Sequence, residues 1–361
     1  MCMGTFHTNE DLETLLGLFS LDKSQYTFSR IDQGYINDTY LVLEKGKPLY
    51  ILQRINSKVF TDVAAVMGNM TKALTYLSDE DYTSVELVPT KTGKSYCDLN
   101  NQDYWRLMEY IPNSLAFDIA KNSEIAFEAG RILGNFHSLL QHAPSNQFTD
   151  TIPQFHDLEL RKEQFQKAMN NASHKTLNAA ALAISLVEEI LPLLSELSKF
   201  DLPIRICHND TKLNNILFSR KTNKALCFID LDTIMKGYFY YDFGDLVRTI
   251  ANTAKEDEKE HHKITFDHQL FESFLDGLGS TATFLTTEEL KSLPLGTIFM
   301  PFIHGLRALT DFLNNNQYYK VSYPTQNLER SLSLFDFCKK ALANMDYIKG
   351  MLAKKLRANG N

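Results

Sequence analysis

The amino-terminal part of the chain alternates apolar and polar positions with the period of β-strands. Three runs rich in β-branched and aromatic side chains are separated by short segments of turn-forming residues, a pattern typical of consecutive strands. The predicted strands cover residues 26–30, 39–43 and 49–54. Residues 62–77 then carry apolar side chains at a spacing of three or four, which predicts an amphipathic helix with Asp62 as its cap.

Further strands are predicted after this helix. Short runs of strand-forming residues cover residues 85–88, 96–98 and 104–110, and turn-forming residues separate them. The order strand-strand-strand-helix-strand-strand predicts a five-stranded antiparallel sheet with one helix. Residues 111–113 are expected to lead out of this unit.

Beyond residue 110 the pattern becomes mainly helical. Residues 125–140 and 176–197 show helical apolar spacing, and a strand-rich segment over residues 205–241 lies between helical stretches. The longest uncharged stretch, residues 292–306, has 15 residues and is interrupted by Pro and Gly. That stretch is too short and too broken to predict a membrane span.

Composition and charge limit the possible partners. The chain has 361 residues, of which 44% are hydrophobic, and a net charge of −7. The length and hydrophobic share are typical of a soluble globular protein with two lobes, and the acidic balance argues against nucleic acid as a partner. The five cysteines are widely spaced and contain no C-x-x-C pair, which predicts neither a disulfide framework nor a zinc ribbon. With no signal-peptide pattern at the start, we expect a cytoplasmic protein that binds no membrane.

One segment carries the residue spacing of a phosphoryl-transfer loop. Residues 207–218 read Cys-His-Asn-Asp-Thr-Lys-Leu-Asn-Asn-Ile-Leu-Phe, which contains the spacing H-x-D-x-x-x-x-N before an apolar strand. Phosphoryl transfer needs a carboxylate that orients the attacking hydroxyl and takes its proton, together with oxygen ligands for Mg²⁺. Asp210 suits the first role. Asn215 and Asp230, which ends the next apolar run, suit the second.

The same residues have a purely structural alternative. In that interpretation Asp210 and Asn215 cap a turn and Asp230 ends a strand, but three polar groups in this order favour the catalytic interpretation. Asp232 would share a strand face with Asp230, so it either contacts a second metal ion or holds a loop. His208 is expected to anchor the loop rather than to act as a base.

A second acidic motif follows further along the chain. Residues 241–245 read Tyr-Asp-Phe-Gly-Asp, which spells the metal-binding motif of protein kinases. Because Asp230 already ends an apolar strand closer to the loop, we interpret this segment as the start of a helix. Asp242 and Asp245 are then expected to cap the helix or to pair with Arg248.

The turn between the first two predicted strands is a candidate phosphate-binding turn. Residues 33–37 read Gln-Gly-Tyr-Ile-Asn, and backbone amides near Gly34 are placed to fold over nucleotide phosphates. A cation that reaches these phosphates is expected on the third strand at Arg54, although alternation leaves open whether Gln53 or Arg54 faces the cleft. The alternative is a surface-facing Arg54. The helix over residues 62–77 contains no Glu, so no Lys–Glu pair of the protein-kinase kind is visible.

Six segments together resemble a known family. They are residues 34–40, 50–56, 208–215, 229–233, 241–245 and 307–313. They resemble the bacterial N-acetylhexosamine 1-kinases, which belong to the aminoglycoside phosphotransferase and choline kinase-like family, from about residue 26 to about residue 345. The resemblance implies a two-lobed protein kinase-like fold of the α+β class. Residues 1–110 would form the nucleotide-binding lobe, and residues 111–361 would carry the catalytic loop, the metal site and the sugar site.

Carried over by motif, the resemblance also implies roles for individual residues. Asp210 would be the catalytic base, and Asn215 and Asp230 would hold Mg²⁺. The implied nucleotide-binding residues are Gly34, Tyr35, Asn37, Arg54, Glu109 and Ile111, and the implied sugar-binding residues are Asp210, Asp230, Arg307 and Tyr318. From the residues alone, a buried pair between Arg307 and Asp311 is the alternative, and the tyrosines near residue 318 fit a sugar face or ordinary core.

The expected activity is ATP- and Mg²⁺-dependent phosphorylation of the anomeric hydroxyl of N-acetylglucosamine or N-acetylgalactosamine, which gives the α-1-phosphate. The enzymatic alternative is a kinase of the same fold for an aminoglycoside, choline or homoserine. Cationic acceptors call for an acidic pocket, so Arg307 argues against the first two. The non-enzyme alternative is a nucleotide-binding pseudokinase, which the intact Asp210, Asn215 and Asp230 disfavour. A monomer is favoured, with ATP and a small sugar as its ligands.

Overall fold

An antiparallel sheet from the first third of the chain is followed by a larger, mainly helical region. A computed structural model describes residues 8–22, 24–31, 36–100 and 102–358. The sheet region contains, in chain order, α1 (Asn9–Leu16), β1 (Tyr26–Ile31), β2 (Asp38–Glu44), β3 (Lys47–Ile55), α2 (Val63–Leu74), β4 (Leu87–Val88), β5 (Cys97–Leu99) and β6 (Asp103–Glu109). The strands are ordered β1-β2-β3-β6-β4, with β5 also paired to β6.

The sheet has six strands, and the prediction of five was wrong. β4 pairs with Leu107 and Met108, whereas β5 pairs with residues 103–105, so two short strands lie end to end along one edge of β6. The number of apolar runs does not reveal that two of them share an edge. The predicted helix is confirmed as α2, and the Asp62 carboxylate caps it by accepting the N–H of Ala65 at 2.9 Å.

Helices cover both faces of the sheet. The first face is buried by α1, in a cluster formed by Leu12, Leu15, Leu16, Phe19, Tyr40, Val42, Leu52, Val88, Cys97, Trp105 and Leu107. The second face meets α2 and joins the core of the helical region through Ile55, Val66, Met67 and Met70. Because successive side chains of a strand point to opposite faces, Arg54 shares the first face with Leu52, and Gln53 shares the second with Ile55.

The helical region contains the strand-rich interruption that the sequence predicts. Its elements are, in chain order, β7 (Ser114–Leu115), α3 (Ser123–Leu140), α4 (Leu158–Asn171), α5 (His174–Leu194), β8 (Arg205–Cys207), β9 (Ile216–Ser219), β10 (Ala225–Phe228), β11 (Met235–Gly237), α6 (Phe239–Ile250), α7 (His268–Thr281), α8 (Thr287–Leu313), α9 (Gln326–Ala343) and α10 (Met345–Lys355). Strands β10, β9 and β7 form one small antiparallel sheet, and β8 and β11 form another. The loop between β8 and β9 therefore lies where the two small sheets meet.

Two helix contacts organise this region. α8 packs against α4, α5, α6 and α9, and the uncharged stretch 292–306 lies within it, buried except for Leu295. Its lack of charge therefore reflects a position in the protein core. α3 and α7 approach each other so closely that a Cβ on Gly277 would lie 1.8 Å from the carbonyl oxygen of Phe127. A glycine is required at that crossing.

One segment of the described chain, His174–Lys199, has the length and composition of a membrane span. Its most apolar window has a mean hydropathy of 1.7 and is 33% buried. The segment comprises α5 and the turn after it, and its buried positions recur at helical spacing, at Ala180, Ala183, Val187, Ile190 and Leu194. This face packs against α8 and α9, as the apolar side of a helix does at the edge of a protein core.

Candidate functional site

The loop after β8 is held in place by hydrogen bonds from its backbone N–H groups to the Asp242 side chain on α6. The Asp242 carboxylate accepts the N–H groups of His208 and Asn209 at 2.8 and 2.7 Å, and it also accepts Nε2–H of His137 at 2.9 Å. His208 Nε2 donates to the carbonyl oxygen of Ile229 at 2.9 Å, so it anchors the loop, as expected. Because Asp242 is fully buried among these donors, it positions the loop and has no access to a metal in the cleft.

The acidic motif at the start of α6 is thus only partly as predicted. α6 begins at Phe239 with no side-chain cap, so Asp242 caps the loop before it rather than the helix. Asp245 pairs with Arg248 at 2.7 Å, as the sequence predicts. The spacing of Asp242 and Asp245 fits the start of a helix. It does not show which unpaired N–H groups lie near each carboxylate in space.

Asp210 lies at the open side of this loop beside two polar partners. Its Oδ2 atom accepts from Lys212 Nζ at 2.9 Å and from Asn215 Nδ2 at 3.1 Å. Burial raises the pKa of the Asp210 carboxyl, but the Lys212 ammonium outweighs this effect, so the pKa lies below its ordinary value. Asp210 is therefore an ionised carboxylate at neutral pH with one solvent-facing side. Such a group can accept a proton from a bound hydroxyl.

Asp230 follows β10 and lies beside the same loop. Its backbone is left-handed, with φ of 61°, and the Ile229 N–H bonds to the Asn215 carbonyl at 2.8 Å. The carboxylate is accessible to water at the floor of the cleft, yet the surrounding protein desolvates it. This desolvation and the neighbouring Asp232 raise its pKa to about 6. A cation bound beside Asp230 would relieve both effects.

The donor set here fits a divalent cation. Asn215 commits its amide nitrogen to the backbone oxygen of Asp210 at 2.7 Å as well as to its carboxylate, and no donor among the described residues engages its amide oxygen. That oxygen and the Asp230 carboxylate are hard oxygen ligands, which Mg²⁺ and Ca²⁺ prefer.

Asp232 holds a loop, which was one of its two predicted alternatives. One carboxylate oxygen lies against the guanidinium of Arg106 on β6, and the other accepts from Asn37 Nδ2 at 2.7 Å. The side chain is 1% exposed. Since both oxygens have protein partners, Asp232 differs from Asp230, which stands open to the cleft. Sequence reasoning did not find Arg106, because its partner lies on a distant element.

The nucleotide-binding residues expected from the sequence do not form one cluster. Gly34 and Tyr35 lie outside the described residues. Arg54 pairs with Asp103 and Asp38 on the sheet face that α1 covers, so it faces away from Asp230, as in the surface-facing alternative. Gln53 faces the cleft side.

Glu109 and Ile111 lie where the sheet leads into the helical region. Glu109 ends β6, and its N–H donates to the carbonyl oxygen of Glu86. The Ile111 N–H has no acceptor within the described part of the chain, while its carbonyl accepts from Ser114 at 2.6 Å. A free N–H at this strand end is a donor available to a planar base.

Arg307 lies on α8, on the other side of the loop between β8 and β9. Its guanidinium stacks over the Phe155 ring at 5.1 Å, and no ion pair or hydrogen bond from any described residue engages it. Next to Phe155, His156 donates from Nε2 to the Asn209 carbonyl at 3.0 Å. Arg307 is therefore connected to the loop that bears Asp210 through Phe155 and its neighbour His156.

The predicted Arg307–Asp311 alternative is not what the structure contains. Asp311 accepts the N–H groups of Tyr318 and Tyr319 at 2.8 and 2.9 Å and the amide of Asn327 at 2.9 Å. It thereby fixes the segment after α8, where the Tyr318 ring is 61% exposed. Tyr318 is thus a surface ring rather than core.

Two residues of this region were missed by sequence reasoning. Arg161 of α4 donates to the carbonyl of Phe155 at 2.8 Å, and its Nε has no partner among the described residues. Burial and the nearby Arg307 lower its pKa to about 10. Burial, helped by His304 and Arg307, lowers the pKa of His156 to about 3, so this ring is neutral. A cavity of about 270 Å³ opens beside His156. No local motif marks these residues.

The carboxylates around this region already have partners. Asp245 is held by Arg248 and lies 3.2 Å from His304 Nε2, and Asp157 caps α4 by accepting the Leu160 N–H at 2.8 Å. The charge without an ion-pair partner is therefore positive at Arg307 and negative at Asp230. Asp210 is paired with Lys212 and lies with Asp230 on the side that suits a metal.

Comparisons with known proteins agree with this fold. A family model described as the phosphotransferase enzyme family matches residues 27–275. A structure of the microcompartment-associated aminopropanol kinase has 17% identity and a TM-score of 0.61, with 94% of this chain and 98% of that chain covered. The amicoumacin kinase hAmiN, bound to AMP-PNP and Ca²⁺, has 14% identity and a TM-score of 0.59, with coverages of 99% and 96%. A choline/ethanolamine kinase family protein from Mesorhizobium loti has 14% identity and a TM-score of 0.60, with coverages of 96% and 99%.

Proposed function

We propose, from the premise that this chain belongs to the phosphotransferase enzyme family, that it transfers the γ-phosphoryl group of ATP to the anomeric hydroxyl of an N-acetylhexosamine. As a small-molecule phosphotransferase with a kinase-like fold, it needs a base, a divalent cation, a nucleotide site and an acceptor site. The single observation that carries the choice of acceptor is the uncommitted cation of Arg307 on the acceptor side of Asp210.

Asp210 is the proposed base. The acceptor hydroxyl gives its proton to the Asp210 carboxylate as its oxygen attacks the γ-phosphorus, the bond to the β-phosphate oxygen breaks, and ADP leaves. Lys212 supports this role because it keeps Asp210 ionised. The bond between C1 and its oxygen stays intact, so the α-anomer gives the α-1-phosphate.

Asn215 and Asp230 are the proposed ligands of Mg²⁺. Bound there, the cation would neutralise charge on the phosphates. Asp230 would otherwise present a negative charge to the triphosphate. The pKa of about 6 of the Asp230 carboxyl supports the view that this group needs a cation when ATP is present.

The nucleotide is assigned to the sheet side of the cleft. We place nucleotide binding in residues 1–110 and catalysis, metal and acceptor in residues 111–361. Backbone groups near Glu109 and Ile111 would bind the base. Gly34 and Tyr35, which lie outside the described residues, are assigned to the phosphates from the resemblance alone. Asn37 would act indirectly, because its side chain donates to Asp232. Arg54 is left out of this set because its side chain lies on the opposite face of the sheet.

The acceptor side favours a neutral sugar over an amine. Arg307 and Arg161 would repel a second cation, so an aminoglycoside or choline would bind at an electrostatic cost. Hydroxyl and acetamido oxygens instead accept hydrogen bonds from guanidinium groups. Tyr318, exposed beside them, offers a ring face and a hydroxyl.

The experiment is an ADP-release assay over free hexosamines, hexoses, choline, amino alcohols and aminoglycosides. We expect turnover to be highest with N-acetylglucosamine or N-acetylgalactosamine, and phosphorus NMR of the product to locate the phosphate on the anomeric oxygen. A 6-phosphate product would overturn the anomeric assignment. Preferential turnover of a cationic acceptor would overturn the sugar assignment.

A further inference from the structure

A buried ion pair joins the sheet to the loop that carries Asp230. The guanidinium of Arg106 contacts Asp232 Oδ1, and both side chains are 1% exposed. Arg106 stands directly across from Gln53 on the neighbouring strand, whose side-chain oxygen accepts from Nε at 3.0 Å. Asn37 donates to the other Asp232 oxygen at 2.7 Å. One carboxylate therefore connects β6, the end of the β1–β2 turn and the loop after β10.

Asp232 supplies the carboxylate for Arg106 that α2 does not. α2 presents only methionine sulfurs to Arg106, with Met70 Sδ at 3.4 Å and Met67 Sδ at 3.7 Å from Nη1. α2 contains no Asp or Glu, and a buried guanidinium needs an anion. The anion comes from Asp232 instead, two residues after Asp230. Any shift of the sheet relative to that loop would break a fully desolvated pair.

We propose that Arg106, Asp232 and Asn37 form a clasp that sets the separation between the sheet, at β6 and the start of β2, and the Asp230 loop. Arg106 is thus a positioning residue for the nucleotide. A nucleotide held on the sheet side can be reached from the Asp230 loop only at one separation of the two. The clasp rests on the proposed function in one respect, the assignment of ATP to this cleft.

Direct binding of Mg·ATP, measured by calorimetry without any sugar, tests the clasp. The double variant Arg106→Met/Asp232→Asn removes both charges, so neither is left buried and unpaired. We expect it to melt close to the wild-type temperature but to bind Mg·ATP about tenfold more weakly. The Mg²⁺ concentration that half-saturates ATP binding is expected to rise in parallel.

A second variant keeps the test decisive if the double variant does not fold. Asn37→Ala removes one arm of the clasp from a half-buried position and leaves the ion pair intact. We expect it to weaken Mg·ATP binding in the same direction without a large change in thermal stability.

The matched control is Arg131→Met. It removes a guanidinium from a largely buried pair with Glu128 on α3, where Arg131 also donates to the Ala225 carbonyl at 2.7 Å. We expect this variant to lose stability and to bind Mg·ATP as the wild type does. That result would show that loss of a buried Arg–Glu pair does not by itself weaken nucleotide binding.

Two outcomes overturn the clasp. One is wild-type Mg·ATP affinity in a folded double variant and in Asn37→Ala. The other is a single Arg106→Met variant whose lost affinity returns fully in the double variant, because the pair would then only balance charge. Failure of the proposed function looks different: Mg·ATP binds, the clasp variants weaken it as expected, and no hexosamine is phosphorylated.

Discussion

The ion pair between Lys212 and Asp210 predicts a specific change in the pH dependence of catalysis. Lys212 Nζ lies 2.9 Å from Asp210 Oδ2, and the two side chains are 27% and 20% exposed. The pKa of Asp210 reflects burial, which raises it, and the Lys212 ammonium, which more than offsets burial. The substitution Lys212→Met keeps much of the side-chain length and removes the charge. Burial then loses its largest opposing effect.

The size of the effect follows from this geometry. A hydrogen bond to a charged group contributes about 1.5–3 kcal/mol. Loss of the Lys212 ammonium disfavours the ionised carboxylate by an amount of this order, so the pKa of Asp210 is expected to rise. The deprotonated carboxylate is the base. A higher pKa therefore moves the acid limb of the rate profile to higher pH, and activity at about pH 5 falls more than activity at about pH 8.

The assay is the pH profile of kcat for the preferred sugar at saturating ATP and Mg²⁺. Saturating metal keeps the titration of Asp230 out of the measured limb. Lys224→Met is the control. It removes an exposed lysine next to β10 that pairs with Asp81, outside the proposed site. Its profile is expected to match the wild type. An acid limb of Lys212→Met that superimposes on the wild-type limb would refute the assigned role of Lys212.

Three further predictions concern the base, the acceptor site and stability. Asp210→Asn keeps the shape of the side chain and removes the proton acceptor, so kcat is expected to fall about 10²–10⁴-fold while calorimetry shows unchanged Mg·ATP affinity; a kcat within about threefold of wild type would contradict the base assignment. Arg307→Met is expected to raise the KM for the sugar and to leave the KM for ATP unchanged, and a loss confined to ATP would argue against an acceptor role. His156 has a pKa of about 3 when folded against an ordinary 6.5, so the unfolded chain binds a proton that the folded chain does not, and stability falls as pH decreases below about 6.5. Between about pH 7 and pH 5, wild type is expected to lose about 2 kcal/mol relative to His156→Gln, and parallel thermal melts of the two proteins would disprove this.

The contacts of the loop that holds Asp210 could be inferred from the sequence because they are local. Asp210 and Asn215 lie in one loop, and the Asn215 amide reaches both the backbone and the carboxylate of Asp210. The Asp62 cap of α2 is likewise a contact between near neighbours in the chain. A motif of fixed spacing predicts such contacts because the intervening backbone has few ways to fold.

The face of β3 that meets the cleft was not predictable in the same way. Alternation along a strand separates Gln53 from Arg54, but it does not say which of them lies toward the catalytic loop. That choice depends on α1 covering one face and α2 the other. The number of strands had the same limit, because two short runs share one edge of β6.

The sequence by itself therefore determined the kind of fold, the loop that holds Asp210 and the oxygen ligands suited to a metal. Only the tertiary structure decided where the arginines of this region lie. Arg106 and Asp232 are separated by 126 positions, and Arg161 and Arg307 lie on different helices. A fully desolvated charge such as Arg106 needs a partner from whatever packs against it, and packing across the chain supplies Asp232. Arg307 stacks on Phe155 instead, with no ion pair among the described residues.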